Sequence, residues 1–448
     1  MQRRPLLVVL LVLAAAWWSS AEARKARVGK HGPGTSWVLE LSDGNKARLD
    51  RGIVKRAIRD HGLKRVALSN DFIARHNTRY SVQIPRARRP HTVHDQKSSG
   101  RCWAFASDRV LETRLACRGI DSSQLSEAFV SYHAMKDRAH AVLDLGAEKA
   151  KYPDSSEIYE GGTFPWATSV VSKHGMVPAS KMRSTADGDN SGVYLSQLKT
   201  LVASAQREMR RAGNGPEAGA RRESIARRYK KQVTQLLDTT VGKPPRSFKL
   251  NGKRYTPMSY AQAVLGNDTD YVVLENNPTR AWNRRYEVDM SPVVYERYNV
   301  GMDTLQQAVK RTIQSGEAVY ISTNVSKGNP HRVDCGADCP ARAKGVLSIK
   351  ALKYDRYAPA GALRKYDRIK AEINRSNHAM IITGYDQGRG SRVRKWQIEN
   401  SWGADSGDKG HLHMYDDYFR EYVEKVAVPR SAVAPRVLEQ ADGRKLLD

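Results

Sequence analysis

Three observations predict an α+β fold. An apolar helix opens at Cys102, two residues after Gly100, which lets the chain turn sharply into it. Leu195–Leu237 is rich in Ala, Arg, Gln, Glu and Lys, has few large apolar residues and is interrupted by Gly213-Asn214-Gly215-Pro216, the pattern of a helical hairpin projecting from the main body. Beyond it, Tyr271–Leu274, Ala318–Thr323, His378–Tyr385 and Val393–Glu399 read as strands of a mostly antiparallel sheet. The predicted organisation is a leader at 1–23, a basic arm with short helices at 24–69 and a helical lobe at 70–185. An inserted helical region at 186–270, a β-rich lobe at 271–430 and a tail at 431–448 follow. A chain of 448 residues buries such cores without disulfide staples.

Each element has a local reason. Met1–Ala23 carries Arg3 and Arg4, then thirteen apolar residues from Leu6 to Trp18, then Ala21-Glu22-Ala23, the pattern of a cleaved secretory signal peptide. That run is short of the roughly 18–20 residues a membrane span needs. No second long apolar stretch occurs, so the mature chain is expected to be secreted or periplasmic and not transmembrane. Arg24–Lys46 is basic, contains Gly and has no sustained periodicity, and reads as a mobile arm; 50–75 holds one or two short amphipathic helices. Tyr80, Val82 and Ile84 alternate before Pro85, so Arg79–Val93 is extended. In the Cys102 helix Ala104, Leu111 and Leu115 give a face to bury, and Arg118-Gly119 stops it. A second helix begins at Ser126-Glu127. Trp166–Lys173 is helical and ends at His174-Gly175-Met176-Val177-Pro178, while Leu305, Val309 and Ile313 mark one face of an amphipathic helix over Met302–Ser315.

Charge and cysteines narrow the chemistry. Lys and Arg number 75 against 47 Asp and Glu, a net charge of +28. Such a surface can bind polyanions weakly, but the charge is scattered and accompanies no nucleic-acid motif. The four cysteines stand at 102, 117, 335 and 339. Cys335-Gly-Ala-Asp-Cys339 is a tight loop able to close as a disulfide in an exported protein, which leaves Cys117 as a core residue. A metal site there with His331 lacks the second ligand pair that zinc spacing requires, so neither metal nor cofactor is expected.

The chemistry lies in two blocks. In Asp95-Gln96-Lys97-Ser98-Ser99-Gly100-Arg101-Cys102-Trp103 the cysteine sits at a helix N-terminus, where about half a positive charge and free N–H groups favour a thiolate. Far downstream come Asn377-His378-Ala379-Met380 and Lys395-Trp396-Gln397-Ile398-Glu399-Asn400-Ser401-Trp402-Gly403. A thiol peptidase needs an imidazole base, a group that orients it and donors for the oxyanion. His378, Asn400, and the Gln96 amide with the Cys102 backbone N–H fill those roles, and Trp402 is placed to cover the His378–Asn400 pair. A single Cys on an apolar helix is ordinarily a core residue. The ordered set of Gln96, Cys102, His378 and Asn400 points to catalysis.

These residues resemble the papain-like cysteine peptidases, and more narrowly their bleomycin hydrolase and aminopeptidase C branch. Asp95–Trp103, Leu125-Ser126-Glu127-Ala128, Gly161-Gly162, His174–Pro178 and Lys395–Gly403 carry the likeness. The resemblance implies a two-lobed fold, with a helical lobe bearing Cys102 and an antiparallel sheet or barrel lobe bearing His378 and Asn400, plus an inserted helical hairpin. It also implies hydrolysis of peptide substrates through an acyl-enzyme on Cys102, no cofactor, and hexameric assembly. Aminopeptidase-like relatives place a C-terminal arm in the cleft. The ending Arg444-Lys445-Leu446-Leu447-Asp448 lacks the Trp- and Pro-containing sequence of that arm, so endopeptidase action on oligopeptides stands beside aminopeptidase action. Two other readings are a catalytically inactive papain-like module that binds polyanions or nucleic acid, and a Cys-His acyl transferase of transglutaminase type. The latter calls for an acidic residue where Asn400 stands.

Overall fold

The computed structural model describes residues 27–447 apart from 31–36, 41–45, 50, 89–91, 121–123, 149–154, 214–215, 267–269, 334–338, 358–362, 389, 391 and 443–444. The leader predicted at 1–23 lies outside the described residues. Two compact units divide the chain, one of residues 1–78 with 330–362, the other of 79–329 with 363–448.

In the smaller unit, β1 (Arg27–Lys30), β2 (Trp37–Glu40) and β3 (Lys46–Leu49) form an antiparallel meander. The sequence suggests an arm here because four-residue strands are too short to establish an alternating pattern. Three helices follow, α1 (Arg51–His61), α2 (Leu63–Ala67) and α3 (Asn70–Arg75), the last capped by the Ser69 hydroxyl on the Phe72 N–H. Leu68 bridges to Leu352 within this unit. Cys339 is disulfide-bonded, and Cys102 and Cys117 are free thiols. Cys335, the partner expected from the sequence, lies outside the described residues.

The larger unit carries the chemistry. After β4 (Val82–Gln83) its helical part consists of α4 (Cys102–Cys117), α5 (Glu127–Glu148), α6 (Phe164–His174), α7 (Gly192–Ala212), α8 (Pro216–Leu237) and α9 (Pro257–Leu265). Helix α4 is more than amphipathic: Trp103 to Thr113 are all buried, charged residues included, so the helix is central. The hairpin of α7 and α8 corrects another expectation. It does not project from the body. Leu198, Val202, Ala205 and Met209 on α7 and Ala226, Tyr229, Val233 and Leu237 on α8 recur at three- to four-residue spacing, and all lie in one core with Phe129, Met135 and Leu143 of α5. Small residues in these stripes let the helices approach closely, which is why the segment looks too poor in large apolar residues to be packed.

The sheet part comprises β5 (Tyr271–Glu275), β6 (Arg284–Met290), β7 (Val293–Asn299), α10 (Met302–Gln314), β8 (Val319–Thr323), α11 (Lys365–Lys370), β9 (His378–Gln387) and β10 (Val393–Glu399). It ends with β11 (His411–Tyr415), α12 (Asp416–Tyr422), β12 (Val423–Pro429), α13 (Pro435–Asp442) and β13 (Lys445–Leu447). Among the described residues of this unit the strand order is β11-β10-β9-β8-β12-β5-β7-β6-β13, with β4 also paired to β9. Pairing is antiparallel except for β5 with β7 and β6 with β13. Trp396, Tyr385, Tyr418, Phe419, Ile321 and Val426 fill the core against it. No described helix is long and apolar enough to cross a membrane.

The packed hairpin predicts a specific stability pattern. Leu198→Ala should cost about 2–5 kcal/mol in denaturant unfolding, because it leaves a cavity. Val193→Ala, on the same helix and 66% exposed, should stay within about 0.5 kcal/mol. Equal, near-zero costs at both positions would mean a detached hairpin.

Candidate active site

The segment before α4 is a self-tied loop. The Asp95 carboxylate accepts the Lys97 N–H at 2.9 Å, and Lys97 takes a positive φ of 53°. The Ser99 hydroxyl donates to the Gln96 carbonyl at 2.6 Å, and the buried Arg101 side chain donates to Ser99 Oγ at 3.1 Å and to Asp189 at 3.0 Å. The loop therefore delivers Cys102 as the first residue of α4. The N–H groups of Ala104 and Phe105 bond back to the Arg101 carbonyl, while those of Cys102 and Trp103 lie at the helix start and reach the thiol.

Besides the bond from Ser99 to its carbonyl, Gln96 is held at three further points. Its backbone N–H donates to the Ser401 carbonyl at 2.8 Å, its Oε1 accepts the Ser401 hydroxyl at 2.7 Å and its Nε2 donates to the Ser99 carbonyl at 2.6 Å. These partners fix the amide orientation and occupy one of its two N–H groups. Gly403, at φ 75°, passes so close to Asp95 that a Cβ there would lie 3.0 Å from its carboxylate, so the turn after Trp402 favours glycine twice over.

His378 opens β9 and pairs with Thr323 of β8; Asn400 directly follows β10, and Ile381 of β9 pairs with Glu399 of β10. This register brings His378 Nε2 to 2.7 Å from Asn400 Oδ1, which also accepts the Ser401 N–H at 2.8 Å. With Oδ1 receiving from both, Nε2 carries the proton and Nδ1 is the basic nitrogen. Trp402 stacks on the imidazole at 4.6 Å between ring centroids and shields this bond. The thiol meets β9 directly, because the Ala379 N–H, next to His378, bonds to it. The four predicted side chains are thus drawn to one place by the entrance of α4, the head of β9 and the turn after β10.

Electrostatics at Cys102 favour the protonated thiol on balance. Burial pushes its thiol up, and the Glu160 carboxylate adds to that; the N–H groups of Ala379, Trp103 and Cys102 pull it down. The thiol therefore needs a base to lose its proton. Sequence reasoning missed three supports. Ser401 lies in the Asn-Ser-Trp-Gly motif and could have been found there. Glu160 precedes Gly161-Gly162, where a Cβ on Gly162 would meet the Trp103 ring at 2.5 Å. Arg109, 3% exposed, pairs with Glu112 at 2.9 Å and with Glu399 at 3.0 Å, tying α4 to the end of β10. Glu112 also accepts the Leu125 N–H at 2.8 Å.

Residues 36–446 match the Peptidase C1-like family. The chain belongs to this family. It is 28% identical to aminopeptidase E of Lactobacillus helveticus over 434 residues, spanning 90% of this chain and 94% of that one. It is 26% identical to aminopeptidase W of Lactobacillus delbrueckii subsp. lactis over 417 residues, or 86% and 91% of the two chains. The crystal structure of PepW from Lactobacillus rhamnosis HN001 superposes with a TM-score of 0.75 at 20% identity, covering 88% of this chain and 93% of that one, which shows the fold. The protein is a papain-like cysteine peptidase of the bleomycin hydrolase and aminopeptidase C branch, with an α+β fold.

The buried triad of this peptidase makes a stability prediction. Arg109→Met should cost about 3–5 kcal/mol, because two buried carboxylates lose their cation. An unpaired buried carboxyl has a folded-state pKa above its unfolded one, so the deficit should shrink as pH falls through that raised value. Denaturant melts from pH 4 to 8 check this; a deficit that is flat with pH would mean the carboxylates are not desolvated.

Proposed function

We propose that this peptidase cleaves peptide bonds with Cys102 as nucleophile, His378 as acid and base, Asn400 as the orienting group, and Gln96 with the Cys102 N–H as oxyanion donors. The observation that carries the reading is the 2.7 Å His378 Nε2–Asn400 Oδ1 bond, which leaves Nδ1 as the basic nitrogen beside a thiol held at the head of the same strand. His378 Nδ1 takes the thiol proton and the sulfur attacks the peptide carbonyl. The oxyanion is met by the remaining Gln96 Nε2–H and by the Cys102 N–H. The imidazolium then protonates the departing amine, and water, deprotonated by His378, releases the acid and regenerates the thiol. Asn400 keeps the ring in the reactive tautomer throughout.

Export is part of the proposal. The basic, apolar and small-residue order of Met1–Ala23 and the disulfide at Cys339 support it. N-terminal sequencing of secreted protein should begin near Arg24, and recovery of Met1 would sink it.

We further propose that the cleft accepts internal bonds of oligopeptides. Strand β13, close to the C-terminus, pairs with β6. Six strand spacings separate it from β9, which begins at His378. At ~4.8 Å per spacing this is roughly 29 Å along the sheet, so residues 445–447 are engaged at the sheet edge. A peptide with a free amino terminus and its N-acetylated form should both be cut internally, as read by mass spectrometry. Release of single residues from the free form alone would overturn this.

The roles predict a graded mutant series at constant fold. Cys102→Ala should remove essentially all turnover, and retention of more than a few per cent would exclude it as nucleophile. His378→Ala should be comparably severe, Asn400→Ala milder, and Gln96→Ala should lower kcat by about 10²–10³.

A further inference from the structure

Glu160 is buried at 5% exposure, immediately before Gly161-Gly162. Three neutral donors converge on its carboxylate. Oε2 accepts the Gly100 N–H at 2.5 Å and the Ser191 hydroxyl at 2.5 Å, and Oε1 accepts the Tyr194 hydroxyl at 2.8 Å. Its backbone carbonyl accepts the Trp103 Nε1–H at 2.8 Å. Gly100 stands two residues before Cys102 and Trp103 one after it, so a single residue grips the nucleophile's segment on both sides. The fit is close: a Cβ on Gly100 would sit 3.1 Å from Oε2. The grip is also backed from behind. Arg138 of α5 donates to the carbonyls of Tyr159 and Gly161, and its guanidinium lies 3.9 Å from the ring centroids of both Tyr159 and Trp166.

We propose that Glu160 is a positioning residue for this peptidase, fixing the Gly100–Trp103 segment beneath the thiol while presenting a carboxylate, bonded only to neutral donors, to it. Among the described residues Glu160 forms no ion pair, and its hydrogen-bond partners are neutral, so its field is attenuated but not cancelled. The titratable groups around the pair are His378 on β9, Tyr320 on β8, Tyr194 on α7 and Arg101, whose guanidinium is bonded to Asp189. The charge opposes thiolate formation, while the helix start and the Ala379 N–H promote it. A more basic thiolate is the stronger nucleophile once formed, so the arrangement trades resting ionisation for attacking power.

This rests on Cys102 as the nucleophile, and the test separates the two claims by reading Cys102 itself. The full chain, as wild type, Glu160→Gln and Ser191→Ala, is alkylated with iodoacetamide across pH, and modification at Cys102 is followed by mass spectrometry. Glu160→Gln removes the charge, so its rate midpoint should move to lower pH, with alkylation about two- to threefold faster than wild type on the acid side. Its kcat for peptide hydrolysis should fall more than KM changes, because the Gly100 N–H loses its charged acceptor while the Trp103 bond to the backbone carbonyl remains. Ser191→Ala strips a screening donor from the carboxylate, so its midpoint should move to higher pH. Slower alkylation at every pH with an unmoved midpoint in Glu160→Gln would reduce the residue to a packing role and overturn the proposal. If Glu160→Gln does not fold, Ser191→Ala decides alone: an upward shift supports the proposal and an unmoved midpoint overturns it. Full peptidase activity in Cys102→Ala would instead overturn the nucleophile assignment and leave the alkylation result standing.

Discussion

The buried contact of Arg109 with Glu112 and Glu399 is the constraint on which the site depends. Arg109 lies seven residues after Cys102, about 10 Å along α4, and Glu399 is the residue before Asn400. One guanidinium thus sets how far the helix can slide or turn against β10. Apolar packing alone would not do this, because hydrophobic contacts are non-directional and a shift of one helical residue costs them little. A guanidinium hydrogen-bonded to Glu112 and ion-paired with Glu399 admits few arrangements of the helix against the strand. Its desolvation cost makes it a poor source of stability, and its value here is register. Glu112 extends the constraint to the segment leading into α5 through the Leu125 N–H.

The same logic explains what the sequence discloses. Gln96, Cys102, His378 and Asn400 are legible because the chemistry demands scarce residue types in a fixed order, each in a recognisable local setting. Arg109, Glu112 and Glu160 are not, because a charged residue on or near a helix reads as a solvated face until its partner is known. Glu399 is 290 residues from Arg109 in the chain, and no local pattern links them. Strands β5, β8, β9 and β10 are visible through their apolar runs, and α10 through Leu305, Val309 and Ile313, all buried as their spacing implies. The burial of α4 on every side was hidden by its charged residues. Packing of the α7–α8 hairpin was hidden by the thinness of its Ala and Val stripes.

Two kinds of support surround the thiol, and they differ in chemistry. From the sheet come uncharged groups: the Ala379 N–H, the Asn400 amide and the Trp402 ring. They orient and shield without adding charge. From the helical part comes a carboxylate, Glu160, held by Gly100 before α4 and by Ser191 and Tyr194 at the start of α7. A charged group on the sheet side would compete with Asn400 for the His378 Nε2 proton and could draw the ring to a different tautomer. On the helical side it bonds to backbone and hydroxyl donors only, so its charge acts on the thiol without disturbing the imidazole.

The sheet also divides its labour along its width. Strands β9 and β10 carry His378 and lead into Asn400, and β8 pairs with β9 at His378 itself. At the other edge β13 joins β6 in parallel, opposite Arg285–Glu287. A parallel strand at an edge occupies backbone groups that would otherwise invite another chain, so this pairing protects the sheet. A cavity of about 500 Å³ bordered by Phe164, Tyr271, Tyr295 and Tyr298 lies between α6 and β5–β7, and none of Gln96, Cys102, His378 and Asn400 lines it. The surroundings of Cys102 are consequently built from one end of the sheet and the start of one helix.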